Sequence, residues 1–529
     1  MSSCTSPGNY SSDVFTRPFA YTGDSSICKG VIMTIQKTQR SYTWLWLLLY
    51  AFFSFFVGGR WGIPLAAWLA PVFGLRFIHQ HKALRGYILL VLAAYLPIAI
   101  AWNGVTFFTF IHPAAHFLFM LVTVSLGSLT YLFYRLLIGR LEKTGRQMAF
   151  WMTLIFPVVA TAMEFLVSGD SPFGTFGAQA YTQFGVSPLM QVVSITGLWG
   201  ITFITAWFAS VVNYVWENGF DWSQVRKGVL IFASVLVLIF GYGFARVWLA
   251  PEAETSVRVA GFNAGAAIPE LMAISGDEEA FRAATQQAHA QYLERTRQAA
   301  SEGAQIVVWP EGAGLGYEED VASLLVAGQA LAAEENIYLV MPVFTLYPDT
   351  ERLPENMLYI ADPQGELALS HTKFGGTQFE GSLPGARSLQ TLETPYGTLS
   401  GAICWDADFP KVISEAGRQD VDLLIIPSND WYELRDVHAN MSIFRAVENG
   451  VSIFRQTTNG VSLAADAYGQ VVNRTDQFEE GSEQLVDVPL NNTITLFPRI
   501  GDLFALIILA GFAIGSVGIW IGTRKPKTS

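Results

Sequence analysis

Leu399-Ser-Gly-Ala-Ile-Cys404-Trp-Asp406 is the stretch on which the reading of this chain turns. It is a short run of apolar and small residues, the pattern of a buried strand, and it ends on a cysteine. Two other runs have the same form. Ile306-Val-Val-Trp-Pro-Glu311 is an apolar strand closing on a carboxylate. His371-Thr-Lys373 follows a hairpin whose turn is Asp362-Pro-Gln-Gly365. Strand ends are where layered α/β sheets present functional groups.

The residues around these runs carry more strands: Val257–Phe262, Gln305–Trp309, Tyr338–Phe344, Met357–Ala361, Leu399–Cys404, Asp422–Pro427 and Val451–Thr457. A long helical stretch, Glu278–Ala300, lies between the first two and is closed by Gly303. Strands alternating with helices imply an α/β layered domain, and 251–498 is long enough for one core. The glycine run Gly312–Gly316 lacks the spacing and lysine of a phosphate loop and reads as flexible backbone beside Glu311.

Outside this region the composition changes. The 529 residues are 51% hydrophobic and only 14% charged, where a soluble chain carries about 25%. Seven segments before residue 250 approach the ~20 apolar residues that span a bilayer: 43–59, 62–78, 86–103, 116–138, 149–168, 189–215 and 228–249. The first two are short and meet at Gly59-Arg60-Trp61, as in a tight helical hairpin. An eighth, 501–523, follows the α/β region. The expected organisation is a disordered tail (1–40), a seven-helix transmembrane bundle (41–250), the α/β domain (251–498), and a final span with a short tail (499–529). Met33, ahead of the first span, is a candidate start.

Lysine and arginine alternate between loops. Lys37 and Arg40, Arg76, Lys82 and Arg85, Arg140, Lys143 and Arg146, Arg226 and Lys227, and Arg524, Lys525 and Lys527 mark one side. The intervening loops hold only Arg60. The positive-inside rule puts both termini in the cytoplasm and the α/β domain outside.

Composition also excludes. The net charge of −12 without a basic stripe argues against nucleic acid. Three cysteines (Cys4, Cys28, Cys404) form neither a disulfide framework nor a zinc cluster, so no metal or other cofactor is expected. Of seven histidines, His112 and His116 are four apart and read as satisfied or interfacial polar side chains.

Taken singly, Cys404 reads as a small core residue, Glu311 as a loop charge and Lys373 as a solvated lysine. Together they satisfy one chemistry. A thiol with an ordinary pKa near 8.5 must lose its proton to attack a carbonyl. A neighbouring carboxylate can take that proton and return it to the leaving group. An ammonium favours the thiolate and stabilises the oxyanion. A solitary thiol in an extracytoplasmic domain is itself a candidate nucleophile.

In these residues the sequence resembles the nitrilase, or carbon–nitrogen hydrolase, superfamily, built on a four-layer αββα sandwich. The order Trp309-Pro-Glu311, Lys373, Cys404 is matched. So are Ile425-Ile-Pro-Ser-Asn-Asp430-Trp-Tyr, His438, and Arg445-Ala-Val-Glu448-Asn-Gly450. Asn459-Gly460 and Asp466-Ala-Tyr-Gly-Gln470 fit the strands that follow. With an α-helical bundle of about eight spans, the resemblance narrows to that superfamily's membrane branch, the apolipoprotein N-acyltransferase family. In the bundle, the stretches from Pro157 to Glu164 and from Gly177 to Gly200 are similar to that family's fifth and sixth helices.

The resemblance implies Glu311 as general base, Lys373 as stabiliser and Cys404 as nucleophile, with no cofactor. It implies a phospholipid acyl donor, a diacylglyceryl-lipoprotein amine as acceptor, and a monomer in the bacterial inner membrane with its catalytic domain in the periplasm. Glu380, Trp405, Asp406, Asn429 and Asp430 are candidate supporting residues; Trp431, Tyr432 and Glu164 are candidates for substrate binding. The sequence departs from the family at Trp405-Asp406, where Tyr-Glu is usual, and in the loop Phe374-Gly-Gly-Thr-Gln-Phe-Glu380. Other readings stay open: a membrane-anchored amidase or nitrilase acting on a small amide, acylation of a different amine, or a binding protein whose site has decayed.

Overall fold

In the computed structural model, the described residues are 42–144, 148–169, 171–264, 268–348, 350–479, 481 and 483–523. The expectations for the tail, Cys4, Cys28, Met33, Lys37, Arg40, Arg146, Arg524, Lys525 and Lys527 lie outside them.

All eight apolar segments are helical, but they differ in reach. Five helices are long and apolar enough to cross a bilayer: Ala83–Ala101, Pro113–Glu142, Phe150–Ser168, Trp222–Trp248 and Leu503–Gly522. The sixth expected span is a broken pair, Ser187–Thr196 and Trp199–Glu217, bent by 119°. The first two are helices of 13 and 16 residues, Thr43–Phe55 and Pro64–His79. At 1.5 Å per residue each is shorter than a ~30 Å hydrocarbon core, while the count of about eight helices roughly fits. These two do form the expected hairpin: Trp46 and Phe53 stack on Phe73. Their turn contains Gly58 at φ 96° and Gly59 at φ 66°, which side chains rarely adopt. The paired histidines are satisfied polar groups: His112 caps the helix that follows, and His116 bonds Thr106 and the carbonyl of Ala99.

The α/β region is a mixed sandwich of a seven-stranded and a six-stranded sheet. The first runs Gln484–Pro489, Ser256–Gly261, Ile306–Val308, Tyr338–Leu346, Glu355–Ala361, Leu367–Thr372, with Gly314–Tyr317 also on Tyr338–Leu346. The second runs Val471–Asp476, Val461–Ala465, Ser452–Thr458, Leu423–Asn429, Gly397–Gly401, Thr391–Thr394.

Pleating explains the four layers. Ile306, Val308 and Val340 point inward and meet Leu423, Ile425 and Phe454 of the other sheet. Their neighbours Val307, Leu339 and Met341 face out, against Tyr292 and Ala299 of helix Glu278–Ser301 and Leu324 and Ala332 of helix Glu318–Glu335. On the other side Leu424 and Ile426 pack under Val412 and Ile413 of Pro410–Arg418 and Ala446 of Arg435–Asn449. Strands covered on both faces read as unbroken apolar runs rather than alternating ones.

Three local readings change. The Gly312–Gly316 run is not flexible backbone, since Gly314–Tyr317 is a buried strand. Asn459-Gly460 and Asp466–Gln470 are turns joining strands. Cys404 does not end a strand: the strand stops at Gly401, and Cys404 opens a 3-10 turn, Cys404–Asp408.

The sandwich is fastened to the helices by specific bonds. Trp431 Nε1 donates to Gly104 O at 2.5 Å and the Thr175 amide to Asp408 O at 2.8 Å. Arg445 Nη2 donates to the Tyr181 hydroxyl at 3.0 Å and Gln191 Nε2 to Tyr468 O at 2.9 Å.

Candidate active site

Each of the three reactive side chains sits just past a strand, where the ladder ends and the backbone is free to turn. Glu311 follows Ile306–Val308, held by the buried Trp309, whose Nε1 donates to Thr296 Oγ1 at 2.9 Å. Lys373 follows Leu367–Thr372, its amide bonded to Asn356 O at 2.9 Å. Cys404 has φ 47°, a left-handed conformation uncommon for a residue with a side chain. Strain of this kind persists where the surroundings over-determine it, and here they do.

Asp406 is the clasp. Its Oδ1 accepts from the amides of Phe374 at 3.0 Å and Gly375 at 2.7 Å, both in the loop after Lys373. Its Oδ2 accepts from the Ile403 amide at 3.0 Å and meets His371 Nε2 at 2.8 Å. One buried carboxylate thus ties the cysteine turn to the lysine loop. The shorter side chain at this position brings the two backbones close. A Cβ on Gly375 would lie 2.7 Å from the carbonyl carbon of Trp405. Asp406→Ala would leave three buried amides without their acceptor, costing about 3 kcal/mol and slowing any reaction at Cys404. Thermal melting and thiol-acylation rate measure both; an unchanged melting temperature would remove the clasp from the account.

Lys373 Nζ is 2.6 Å from Glu311 Oε1 and also bonds Glu380. Asn356 Nδ2 donates to Glu311 Oε1 at 2.8 Å and to Glu380 Oε2 at 3.4 Å. Burial opposes the lysine's charge, but Glu311 and Glu380 raise its pKa well above the ordinary value, so it stays an ammonium. Burial raises the Glu311 carboxyl, Lys373 pulls it back and Glu380 pushes it up, leaving it above the usual range. Burial likewise lifts the Cys404 thiol well above its usual value, helped by the charge of Glu311 and resisted by Lys373. The thiol is therefore neutral at rest and needs a base during attack.

Beside Cys404 lies a second polar cluster. The Sγ donates to Asn429 O at 3.8 Å. Cys404, Asp430 and His438 bring one ligand-type atom each within 4.8 Å of one another. Asp430 accepts from Arg455 Nη2 at 2.8 and 3.0 Å and from His438 Nδ1 at 2.9 Å. Burial would raise Asp430's pKa, yet the Arg455 charge and the hydrogen bonds from Arg455 and His438 hold it below the ordinary aspartate value.

Glu311, Lys373, Cys404, Glu380, Trp405, Asn429, Asp430, Trp431 and Tyr432 all line one cavity of about 650 Å³. Its other wall is apolar and comes from the helical region: Phe107, Phe108, Phe119 and Phe173. Phe379 stacks between Phe173 (5.2 Å) and Trp405 (5.6 Å), and Phe110 meets Trp431 edge-on at 5.3 Å. Asp406 lies beneath the cavity rather than on its wall. Glu164 is not part of it. Its carboxylate accepts from the Gln179 amide at 2.7 Å and from Thr202 Oγ1 at 2.5 Å, a pairing inside the bundle.

Sequence reading missed Asn356 and Asp408. Asn356 lies one residue ahead of the expected strand Met357–Ala361, and Asp408 is a second acid two residues beyond Asp406. The phenylalanines of the bundle wall had no such signal.

The fold is a nitrilase-like sandwich joined to helices long and apolar enough to cross a membrane. The family model described as carbon-nitrogen hydrolase matches residues 271–496, and this stretch is a domain of that family. Along most of its length the chain is similar to proteins named apolipoprotein N-acyltransferase. It is 26% identical over 429 residues to the one from Geobacter metallireducens, covering 74% of this chain and 80% of that one. It is 24% identical over 496 residues to the one from Vibrio cholerae, covering 85% and 92%. Among solved structures, an amidase from Nesterenkonia sp. superposes with a TM-score of 0.37 at 20% identity, over 46% of this chain and 94% of that one.

Proposed function

We infer that this chain is an N-acyltransferase that carries a fatty acyl group from a phospholipid, through a thioester on Cys404, to the α-amine of a diacylglyceryl-cysteine at a lipoprotein N-terminus. The observation that carries the reading is the cavity itself. It brings a buried Glu311–Lys373 pair and a thiol to one side and a wall of bundle phenylalanines to the other. An apolar wall continuous with membrane helices suits an acyl chain; a small-amide hydrolase has no use for it. The names of the relatives support the acceptor.

Glu311 removes the thiol proton as Sγ attacks the ester carbonyl. The Lys373 ammonium stabilises the oxyanion. The C–O bond breaks, and Glu311 returns the proton to the departing lysophospholipid hydroxyl. In the second half the amine attacks the thioester, the C–S bond breaks, and an amide forms. Glu380 and Asn356 hold the Glu311–Lys373 pair in place, and Asp406 positions both loops. Trp405, Trp431 and Tyr432 line the approach to the thiol. The bundle (41–250) and the last span sit in the inner membrane, 499–529 comprising that span and a cytoplasmic tail, and 251–498 faces the periplasm as part of a monomer.

The test is intact-mass analysis of the purified chain after incubation with phospholipid. The expected result is a hydroxylamine-labile fatty acyl adduct on Cys404, discharged by a diacylglyceryl-cysteine peptide as the N-acyl product. The absence of an adduct with any lipid, in a folded protein, would overturn the phospholipid-donor reading.

A further inference from the structure

One cavity-lining carboxylate takes no part in the reaction as described. Asp408 is 1% exposed, and its Oδ2 has no hydrogen-bond partner among the described residues. Its main-chain oxygen is fixed by the amide and hydroxyl of Thr175, at 2.8 and 3.0 Å, so the side chain cannot swing away with its backbone. Its Oδ1 lies 3.7 Å from His438 Nε2, too far for a hydrogen bond and within reach of an ion pair. A buried carboxylate oxygen left without a donor is costly unless a ligand supplies one.

His438 is the other half. Asp430 accepts from both Arg455 and His438 Nδ1, which assigns the Nδ1 proton and leaves the Nε2 lone pair on the Asp408 side. A ring nitrogen of His438 lies within 4.8 Å of Cys404 Sγ. Asp408 and His438 therefore line the same cavity as the thiol and the Glu311–Lys373 pair.

We propose that Asp408 and His438 form the receiving site for the protonated primary amine that discharges the acyl-cysteine. The Asp408 carboxylate binds the ammonium, and His438 Nε2 takes one proton from it. The neutral amine forms the N–C bond, the C–S bond breaks, and the amine's second proton passes through Glu311 to the sulfur. The imidazolium then releases its proton to water. This site rests on the acyl-transfer reading and supplies what that reading lacks. An α-amine with a pKa of about 7.7–8.0 arrives mostly protonated at neutral pH and cannot attack in that form. The groups facing His438 are Asp430, Asp408, the Arg455 guanidinium at 3.2 Å and the Cys404 thiol. Burial raises the Asp408 carboxyl to about 6.

The experiment uses the full chain acylated on Cys404, with intact mass following adduct loss to a diacylglyceryl-cysteine peptide at pH 7 and pH 9. Hydroxylamine, an amine that is neutral at pH 7, is the comparison nucleophile. Asp408→Asn and His438→Gln should each slow peptide discharge at pH 7 by about 10- to 100-fold. At pH 9, where most of the peptide amine is free, the deficit should shrink to about threefold or less. Hydroxylamine discharge should fall far less than peptide discharge, and Asp408→Glu should recover part of the loss. Equal slowing at both pH values, no slowing, or an equal loss of adduct formation would each overturn the amine site while leaving the transferase reading standing. Absence of any adduct in the unsubstituted chain, or an adduct that the peptide ignores, would instead remove the donor or acceptor reading, and the amine site with it.

Discussion

Cys404→Ala abolishes formation of the acyl adduct, and turnover falls by about 10⁴-fold or more, the scale seen when a covalent nucleophile is removed. No neighbour can replace it, because Cys404 is the sole cysteine among the described residues. The substitution removes one sulfur from a buried site whose hydrogen bond to Asn429 O is long, 3.8 Å, so stability should change little. The contrast is the point of the measurement. Adduct mass and thermal melting are read on the same preparation; lost activity with an unchanged melt assigns the residue to chemistry. A fully acylated Cys404→Ala protein would place the nucleophile elsewhere.

Lys373→Met acts through both stability and chemistry. The lysine is 1% exposed and neutralises Glu311 and Glu380 together. Removing one partner of a buried charge set leaves an uncompensated charge and costs about 3–5 kcal/mol. Without the ammonium, the Glu311 carboxyl rises further above its unfolded value. The sign then follows: a carboxyl raised in the folded state favours folding most at acid pH. That contribution is lost as pH rises above about 4.3, where the unfolded carboxyl ionises. Denaturation of Lys373→Met at pH 4.5 and pH 8 should therefore show a larger deficit at pH 8. Adduct formation should be lost as well, since a protonated Glu311 cannot serve as base. A variant equally stable at both pH values would mean that loss of the ammonium leaves no carboxyl raised in the folded state.

Much of the architecture was legible because it depends on local pattern. The runs Ile306–Val308 and Leu423–Asn429 are apolar throughout, and that continuity reflects burial on both faces. The hairpin at Asp362–Gly365 was announced by its turn residues, and its strands pair antiparallel as expected. Gly314–Tyr317 was not legible. Its strand identity comes from pairing with Val343–Leu346, a partner some 30 residues on, and glycine has no strand preference of its own. The first helix, Thr43–Phe55, stops short of its apolar run 43–59 for a similar reason. Hydropathy counts apolar residues, whereas a helix ends where its backbone turns, at the glycines before Trp61.

By itself, the sequence determined that apolar helices carry a layered α/β domain, and that a carboxylate, a lysine and a thiol each follow a strand. These are properties of neighbouring residues and of hydrophobic period. Only the tertiary structure decided that Lys373 bridges Glu311 and Glu380, that Asp406 clasps two loops, that Glu164 turns into the bundle, and that Asp408 keeps a carboxylate oxygen without a donor. Each depends on side chains brought together from distant parts of the chain in a buried, water-poor space. There, whether a charge has a partner is set by packing, and no local pattern records it.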